Sequence, residues 1–173
     1  MHLHEGVEII EPTKSDKFTR YVEQFSMLRQ RKGVTHSDAL RLMRRRNYFG
    51  TMMVHVGDAD ALVSGLTQTY PETIRPGLQI IGVRPDVHKV AGLYMMVHKN
   101  GSIYFFADAA VNIEPTAEEL AEIALLCASE VRRFRVEPRV AMLSFSNFGS
   151  VRHPSVEKVQ RATAIVKQRA PDL

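Results

Sequence analysis

The spacing of apolar residues predicts six helices along the chain. Within them an apolar residue recurs every three or four positions, as it does on a helix that buries one face. In residues 15–31, for example, Phe18, Tyr21, Val22 and Phe25 fall on one side of such a helix. The predicted helices are 15–31, 35–46, 47–56, a segment starting at 70 in which Pro76 interrupts the pattern, 116–134 and 153–170.

Short apolar runs predict strands between the helices. Residues 7–10, 61–65 and 139–146 each carry such a run and are interpreted as buried strands. In residues 91–112, two β-rich runs flank an Asn-Gly pair at 100–101, which is a strong signal for a β-hairpin. The chain therefore mixes helices and strands and contains one antiparallel hairpin.

Several helix boundaries carry signals of their own. Thr35 and Thr116 each stand three residues before an acidic residue, which is the pattern of a capping box at a helix N-terminus. Pro154 suits the first turn of the last helix, because a residue there needs no backbone N–H. The last two helices have predicted buried faces made of Leu120, Ile123, Ala124, Cys127 and Val131, and of Val156, Val159, Ala162, Ile165 and Val166.

The order of these elements predicts an α/β protein. It favours a mostly parallel mixed sheet covered by helices on both faces, which is a three-layer αβα sandwich. The chain ends at 170–173 directly after a helix, where this pattern would continue with another strand. We therefore expect residues 1–173 to form one partial domain of a longer protein.

Composition narrows the class of protein. The 173 residues are 45% hydrophobic and 24% charged, which suits one globular domain. The net charge of +4 permits an anionic ligand. Cys127 is the single cysteine, which excludes a disulfide framework and favours a cytoplasmic location. No apolar run approaches the roughly 20 residues that span a bilayer, so we expect no membrane partner.

The loop at 144–152 is the first candidate for ligand binding. It follows a predicted strand, precedes the last helix and is rich in small and hydroxyl residues. Such a loop lets backbone N–H groups approach an anion, and the helix N-terminus adds positive potential. The alternative is a polar loop whose serines only cap the helix. The candidate ligand-binding residues are Ser146, Asn147, Gly149 and Ser150.

Two arginines are the second candidate. Arg29 stands at the end of the first predicted helix, and Arg75 directly precedes Pro76. A guanidinium group binds phosphate or carboxylate through two parallel hydrogen bonds, which suits a nucleotide or an acyl phosphate. The alternative for each residue is an ordinary solvent-exposed charge, in a chain with 23 lysines and arginines.

Two further charged clusters have simpler explanations. Asp58 and Asp60 could bind a hard cation, but a turn after a helix explains them better, and we expect no metal site. The run Arg44–Arg46 could contact nucleic acid, but no aromatic platform or recognition-helix pattern accompanies it. The basic C-terminus of a helix is the better explanation, and we expect no nucleic-acid partner.

Six longer motifs follow one another through nearly the whole chain. They are "LRQRKGVT", "YFGTMMVHVGDADALVSG", "ETIRPGLQIIG", "ADAAVNIEPTAEELAEIA", "VEPRVAMLSFSNFGS" and "KVQRATAIVKQRAPDL". Together they resemble the phosphotransacetylase family, the phosphate acetyl- and butyryltransferases. The stretch "SNFGS" resembles more narrowly the C-terminal phosphotransacetylase-like domain of bacterial NADP-dependent malic enzymes, because transacetylases more often carry a Ser-Thr-x-Gly-Ser-Ala pattern there.

The resemblance implies a fold and a ligand. The family fold is a pair of α/β subdomains around a cleft, similar to isocitrate and isopropylmalate dehydrogenases, and coenzyme A (CoA) and an acyl phosphate meet in that cleft. Two family arginines that contact these ligands match Arg29 and Arg75. By the same resemblance Ser146, Gly149 and Ser150 would line the cleft, and the protein would be a homodimer or a larger homo-oligomer.

Two functions are compatible with this resemblance. The main hypothesis is a regulatory domain that binds acetyl-CoA in a malic enzyme, whose other domains would bind NADP and a divalent metal and convert malate to pyruvate and CO2. The alternative is part of a catalytic phosphate acetyltransferase, which forms acetyl-CoA and phosphate from acetyl phosphate and CoA. In the family the catalytic Ser-Arg pair and Asp come after the last matching motif, so we expect no catalytic residue in this chain and no turnover by it alone.

Overall fold

The computed structural model describes residues 6–173, which form two compact units. The N-terminal unit ends at Gly82, and the C-terminal unit begins at Val83. Each unit has its own secondary-structure elements and its own buried residues. The predicted strand at 7–10 and all candidate site residues lie within the described part of the chain.

The N-terminal unit consists of helices. They are α1 (Phe18–Arg29), α2 (His36–Met43), α3 (Arg46–His55) and α4 (Tyr70–Ile80), with short 3-10 turns at Pro12–Lys14 and Gln30–Lys32. The helices pack around aromatic side chains. The ring centroids of Tyr21 and Phe49 lie 4.9 Å apart, and those of Phe25 and Tyr48 lie 5.6 Å apart. Aromatic pairs of this kind bury large apolar areas and give the unit its core.

The helix starts in this unit follow the sequence signals. The predicted capping box at α2 is confirmed, because Asp38 N donates to Thr35 Oγ1 at 3.1 Å and Thr35 N donates to Asp38 Oδ2 at 3.3 Å. A second capping box, which the sequence analysis missed, starts α4, where Thr69 N donates to Glu72 Oε2 at 3.1 Å. Pro76 lies inside α4 and does not end it.

The C-terminal unit combines one hairpin with two long helices. Strands β1 (Leu93–Val97) and β2 (Ile103–Ala107) pair antiparallel, which confirms the predicted hairpin. The turn needs a glycine at Gly101, because φ there is +84°. Helices α5 (Ala117–Arg133) and α6 (Pro154–Arg169) begin at the predicted Thr116 capping box and at Pro154.

Helices α5 and α6 pack through small side chains. Ala121 and Ala162 are fully buried, and Ala117, Ala124 and Val166 join them in one apolar cluster. Most of the predicted faces are buried, namely Ile123, Ala124, Val131, Val156, Ala162 and Val166, while Leu120, Cys127, Val159 and Ile165 are partly buried.

The predicted mostly parallel sheet is absent from residues 6–173. The segments 7–10, 61–65 and 139–146 contain no strand, and exposed apolar residues within them reach 76% of full exposure at Ile9 and 97% at Val63. A strand forms only where a second extended segment completes its hydrogen bonds, and within the described chain only β1 and β2 do so. The parallel sheet of the predicted three-layer αβα sandwich is therefore not formed within these residues, which contain one antiparallel pair of strands.

Within residues 6–173, no helix is both long enough and apolar enough to cross a bilayer.

Candidate functional site

The charges of four arginines act on the side chain of Tyr48 in the N-terminal unit. Burial raises the pKa of the Tyr48 phenol, while the charges of Arg75, Arg45, Arg29 and Arg41, in that order, oppose the rise. All four guanidinium groups therefore lie close enough to act on one hydroxyl. We call these four residues the arginine cluster; it brings together Arg29 and Arg75, the two arginines selected from the sequence.

Three members of the arginine cluster have no carboxylate partner in the described chain. Arg41 forms an ion pair with Asp38 at 3.0 Å, whereas within residues 6–173 Arg29, Arg45 and Arg75 form none. The Nε atom of Arg29 is in addition buried without a hydrogen-bond partner in that part of the chain. A buried donor without a partner costs about 1–3 kcal/mol, which a bound anion would relieve.

A polar cavity lies beside the arginine cluster. It has a volume of about 390 Å³, within the range of small-molecule sites. Its walls carry charged and hydrogen-bonding groups, which suit phosphate better than an apolar acyl chain. The lining residues are Arg44, Arg45, Arg46, Asn47, Tyr48, Thr67, Gln68, Glu72 and Arg75.

The run Arg44–Arg46 does not play the structural role expected of it. Only Arg44 stands at the C-terminal end of α2, while Arg45 is the N-cap of α3 and Arg46 is its first residue. A cation at a helix N-terminus opposes the helix dipole, at a cost of about 0.3–1 kcal/mol. The positive end of α3 and these arginines therefore add positive potential on the same side of the cavity.

Side chains of α3 connect this cavity to α4. Tyr48 Oη donates to Gln79 Oε1 at 2.8 Å. Asn47 Nδ2 donates to the Glu72 carbonyl at 3.3 Å and also to the Gln68 side chain. The sequence analysis missed Asn47 and Tyr48, and it assigned Arg45 to the C-terminal end of a helix. The available signal was an Asn-Tyr pair directly after a basic run, and no rule of residue spacing links such a pair to a site.

The loop at 144–152 in the C-terminal unit, which we call the Ser/Gly loop, is held in its conformation by hydrogen bonds between its own residues. Ser146 N donates to Ser144 Oγ at 3.2 Å, and Val151 N donates to Ser146 Oγ at 3.1 Å. Ser150 N donates to the Asn147 carbonyl at 3.1 Å. The backbone N–H groups of Ser146, Ser150 and Val151 therefore already have partners inside the loop.

Gly149 shapes this loop. Its φ of +76° is a left-handed conformation that favours glycine, and a Cβ atom there would lie 2.1 Å from Nε2 of Gln160. The loop therefore approaches α6 closely at this point.

The start of α6 is capped by His153 and not by the serines. His153 Nδ1 accepts from Ser155 N at 3.2 Å, and the His153 carbonyl accepts from Val156 N and Glu157 N. Pro154 has no N–H to satisfy. Neither sequence-based interpretation of the loop describes this arrangement, in which the serines bond to one another.

Asp58, one of the two acidic residues after α3, contacts side chains at the start of the N-terminal unit. Asp58 Oδ2 accepts from Tyr21 Oη at 2.5 Å and lies 3.3 Å from Lys17 Nζ. The hydrogen bond from Tyr21 is the main cause that lowers the pKa of Asp58. In the part of the chain that the structure describes, no three His, Cys, Asp or Glu side chains are grouped so that they could hold a metal ion.

Solved structures share this fold. The EutD phosphotransacetylase from Staphylococcus aureus matches with a TM-score of 0.80 at 39% identity, over 97% of this chain and 50% of that chain. A phosphotransacetylase from Streptococcus pyogenes matches with a TM-score of 0.82 at 44% identity, over 94% of this chain and 49% of that chain. The chain therefore has an α/β fold like that of phosphotransacetylases.

Curated relatives overturn the malic-enzyme interpretation. Proteins 39–46% identical over nearly the whole chain carry the name phosphate acetyltransferase. One from Nitratidesulfovibrio vulgaris is 46% identical over 98% of this chain, and one from Bacillus subtilis is 43% identical over 97%. The prediction of a regulatory malic-enzyme domain is therefore wrong; "SNFGS" is one short departure and does not outweigh identity along the whole chain. NADP and a divalent metal were expected only of that parent enzyme, and none of these observations tests them.

The relatives are longer than this chain. It spans 51% of the Bacillus subtilis protein and 24% of the Nitratidesulfovibrio vulgaris protein. A family model described as "Phosphate acetyl/butaryl transferase" matches residues 1–173, which is the whole sequence. With this match and identities above 40% to several relatives, the chain belongs to the phosphate acetyl- and butyryltransferase family.

Proposed function

We propose that this chain forms the CoA- and phosphate-binding part of a phosphate acetyltransferase. In the proposed reaction the CoA sulfur forms a bond to the carbonyl carbon of acetyl phosphate. The bond from this carbon to the phosphate oxygen breaks, and the thiol proton is released. Membership of the family supports the reaction class, and the names of the relatives support acetyl as the transferred group.

The observation that carries the proposal is the arginine cluster. Arg29 and Arg75 match the family arginines that contact CoA and acyl phosphate, and both act on Tyr48 in this structure. Neither pairs with a carboxylate in the described chain, so both have donors available for phosphate oxygens. Each charge-assisted contact would stabilise the bound ligand by about 1.5–3 kcal/mol.

The Ser/Gly loop has a smaller role in this proposal. Contacts of Ser146, Asn147, Gly149 and Ser150 with phosphate or the pantetheine arm remain predictions from the resemblance. Because the N–H groups of Ser146, Ser150 and Val151 are used internally, the loop would offer its side-chain hydroxyls, the Asn147 amide and its remaining N–H groups. Neutral contacts of this kind contribute about 0.5–1.5 kcal/mol each. The cleft between two subdomains and the homo-oligomer also remain predictions.

The test measures formation of acetyl-CoA from acetyl phosphate and CoA by the purified whole protein, since no turnover is expected from residues 1–173 alone. Thioester absorbance should rise only when both substrates are present, and free phosphate should appear in equal amount. Butyryl phosphate serves as a second substrate, and the polar cavity predicts a lower rate with it. Calorimetric titration with CoA gives the binding arm of the test. A protein that neither forms acetyl-CoA nor binds CoA would overturn the proposal.

A further inference from the structure

Pro76 leaves a gap in the hydrogen bonding of α4. In an α-helix the N–H of residue 76 would donate to the carbonyl of residue 72, but proline has no N–H. The Glu72 carbonyl, one helical turn before Pro76, therefore lacks its partner within the helix. A carbonyl left without a donor in a partly buried place destabilises the helix at this turn.

Asn47 supplies the missing donor from the neighbouring helix. Its Nδ2 atom donates to the Glu72 carbonyl at 3.3 Å, and its side chain belongs to a residue that is only 6% exposed. The amide is held in this orientation on both sides, because Oδ1 accepts from Ser64 Oγ at 2.6 Å while Nδ2 also donates to Gln68. A buried amide with all of these partners has little freedom to rotate.

The position of this contact bears directly on Arg75. Arg75 lies between Glu72, which Asn47 holds, and Gln79, which Tyr48 holds at 2.8 Å. Asn47 and Tyr48 are consecutive residues of α3. The segment of α4 between Glu72 and Gln79 carries Arg75, the arginine with the strongest effect on the Tyr48 hydroxyl.

We propose that Asn47 is a positioning residue for Arg75: by replacing the hydrogen bond that Pro76 removes, it holds α4 so that the Arg75 guanidinium faces the polar cavity. This inference rests on the proposed function, because the ligand expected to be lost when Arg75 moves is CoA. Asn47 itself is not assigned a contact with the ligand.

The first test follows the helix without any ligand. Hydrogen–deuterium exchange of the backbone amides in α4 should be faster in Asn47→Ala than in the unmodified protein. Pro76→Ala restores an N–H that can donate to the Glu72 carbonyl, so the double variant Asn47→Ala/Pro76→Ala should regain most of the lost protection. Thr51→Val is the matched control. It also removes a buried polar group of α3, one that donates to the Asn47 carbonyl at 2.6 Å and not to α4.

The second test measures CoA affinity by calorimetry. Asn47→Ala should weaken binding about fivefold, as expected for one neutral hydrogen bond acting through a second residue. In an Arg75→Ala background the same substitution should cause almost no further loss. This dependence on Arg75 separates a positioning role from a general loss of stability, which would lower affinity in both backgrounds.

Three results would overturn the role of Asn47. They are unchanged exchange in α4, no recovery in the double variant, and an equal loss of affinity with and without Arg75. If Asn47→Ala cannot be purified, Asn47→Ser serves in its place, because its hydroxyl is one bond too short to reach the Glu72 oxygen. Failure of the unmodified protein to bind CoA would instead overturn the proposed function, so the two failures are distinguishable.

Discussion

Two members of the arginine cluster, Arg29 and Arg75, and the Ser/Gly loop were selected from the sequence as anion sites, yet the two regions differ in how their hydrogen-bond donors are used. In the arginine cluster, Arg29 has a buried Nε without a partner in the described chain, and there Arg45 and Arg75 form no ion pair, whereas Arg41 pairs with Asp38. In the loop, the N–H groups of Ser146, Ser150 and Val151 all have acceptors within the loop. Charged donors without a partner therefore belong to the first region, and a turn that satisfies several of its own donors belongs to the second.

The amino-acid composition of a loop does not by itself show how many of its hydrogen-bond donors are free to bind an anion. Serine and glycine before a helix are typical of phosphate-binding loops, but they also satisfy one another when the turn is tight. A guanidinium group has five donors in a fixed fork, and a few local acceptors cannot satisfy them all. Several arginines without carboxylates are therefore a stronger sign of an anion site than a loop rich in hydroxyls.

The largest expected effect tests the arginine cluster. Arg75→Ala should weaken CoA binding by about 30-fold, because one charge-assisted contact contributes about 1.5–3 kcal/mol. Calorimetry on the purified variant gives the affinity. Arg31→Ala is the matched control, since Arg31 is exposed and lies outside the cluster, and it should stay within about twofold of the unmodified protein. Equal affinities for Arg75→Ala and the unmodified protein would remove Arg75 from the site.

The next effect tests whether the loop holds its own shape. Gly149→Ala should lower the free energy of unfolding by about 1–2 kcal/mol, because alanine is strained at a φ of +76°. Gly57→Ala is the control, with a φ of +80° and open space around the added Cβ. Similar losses in urea unfolding would mean that the Gln160 amide simply moves aside. A much larger loss for Gly149→Ala would show that Gln160 is fixed against the loop.

A smaller effect compares the two regions directly. Ser150→Ala should weaken CoA binding about threefold, as expected for a single neutral contact. The same calorimetric titration as for Arg75→Ala measures it. A loss as large as that of Arg75→Ala would reverse the ranking of the two regions and assign the main anion site to the loop.

The smallest effect concerns the capping box of α2. The hydrogen bond from the Thr35 side chain, followed by that from Arg41, lowers the pKa of Asp38 from 3.8 to about 2. The carboxylate is thus favoured in the folded state, so its stabilisation is present above pH 3.8 and is lost as the pH falls from 3.8 towards 2. Urea unfolding at pH 6 and pH 3 should show a smaller acid-induced loss of stability in Asp38→Asn than in the unmodified protein. Identical pH dependence in both proteins would contradict this prediction.

Part of the candidate site could be predicted from the sequence. Arg29 and Arg75 were selected through motifs, and the structure brings both near Tyr48. Asn47 was missed, because its importance depends on α4 packing against α3, and no local pattern states which helices pack together. The basic run before α3 was assigned to a helix end for the same reason.

The sequence by itself determined the features that depend on neighbouring residues. The capping boxes at Thr35 and Thr116 and the turn at Gly101 need partners only a few positions away, and all three formed as predicted. Tertiary structure alone decided whether an apolar segment became a strand. Residues 139–146 have the composition of a strand, but a strand needs hydrogen bonds from a distant segment, and within residues 6–173 no segment supplies them. The arginine cluster is of the same kind, because charges far apart in sequence meet only where helix packing places them.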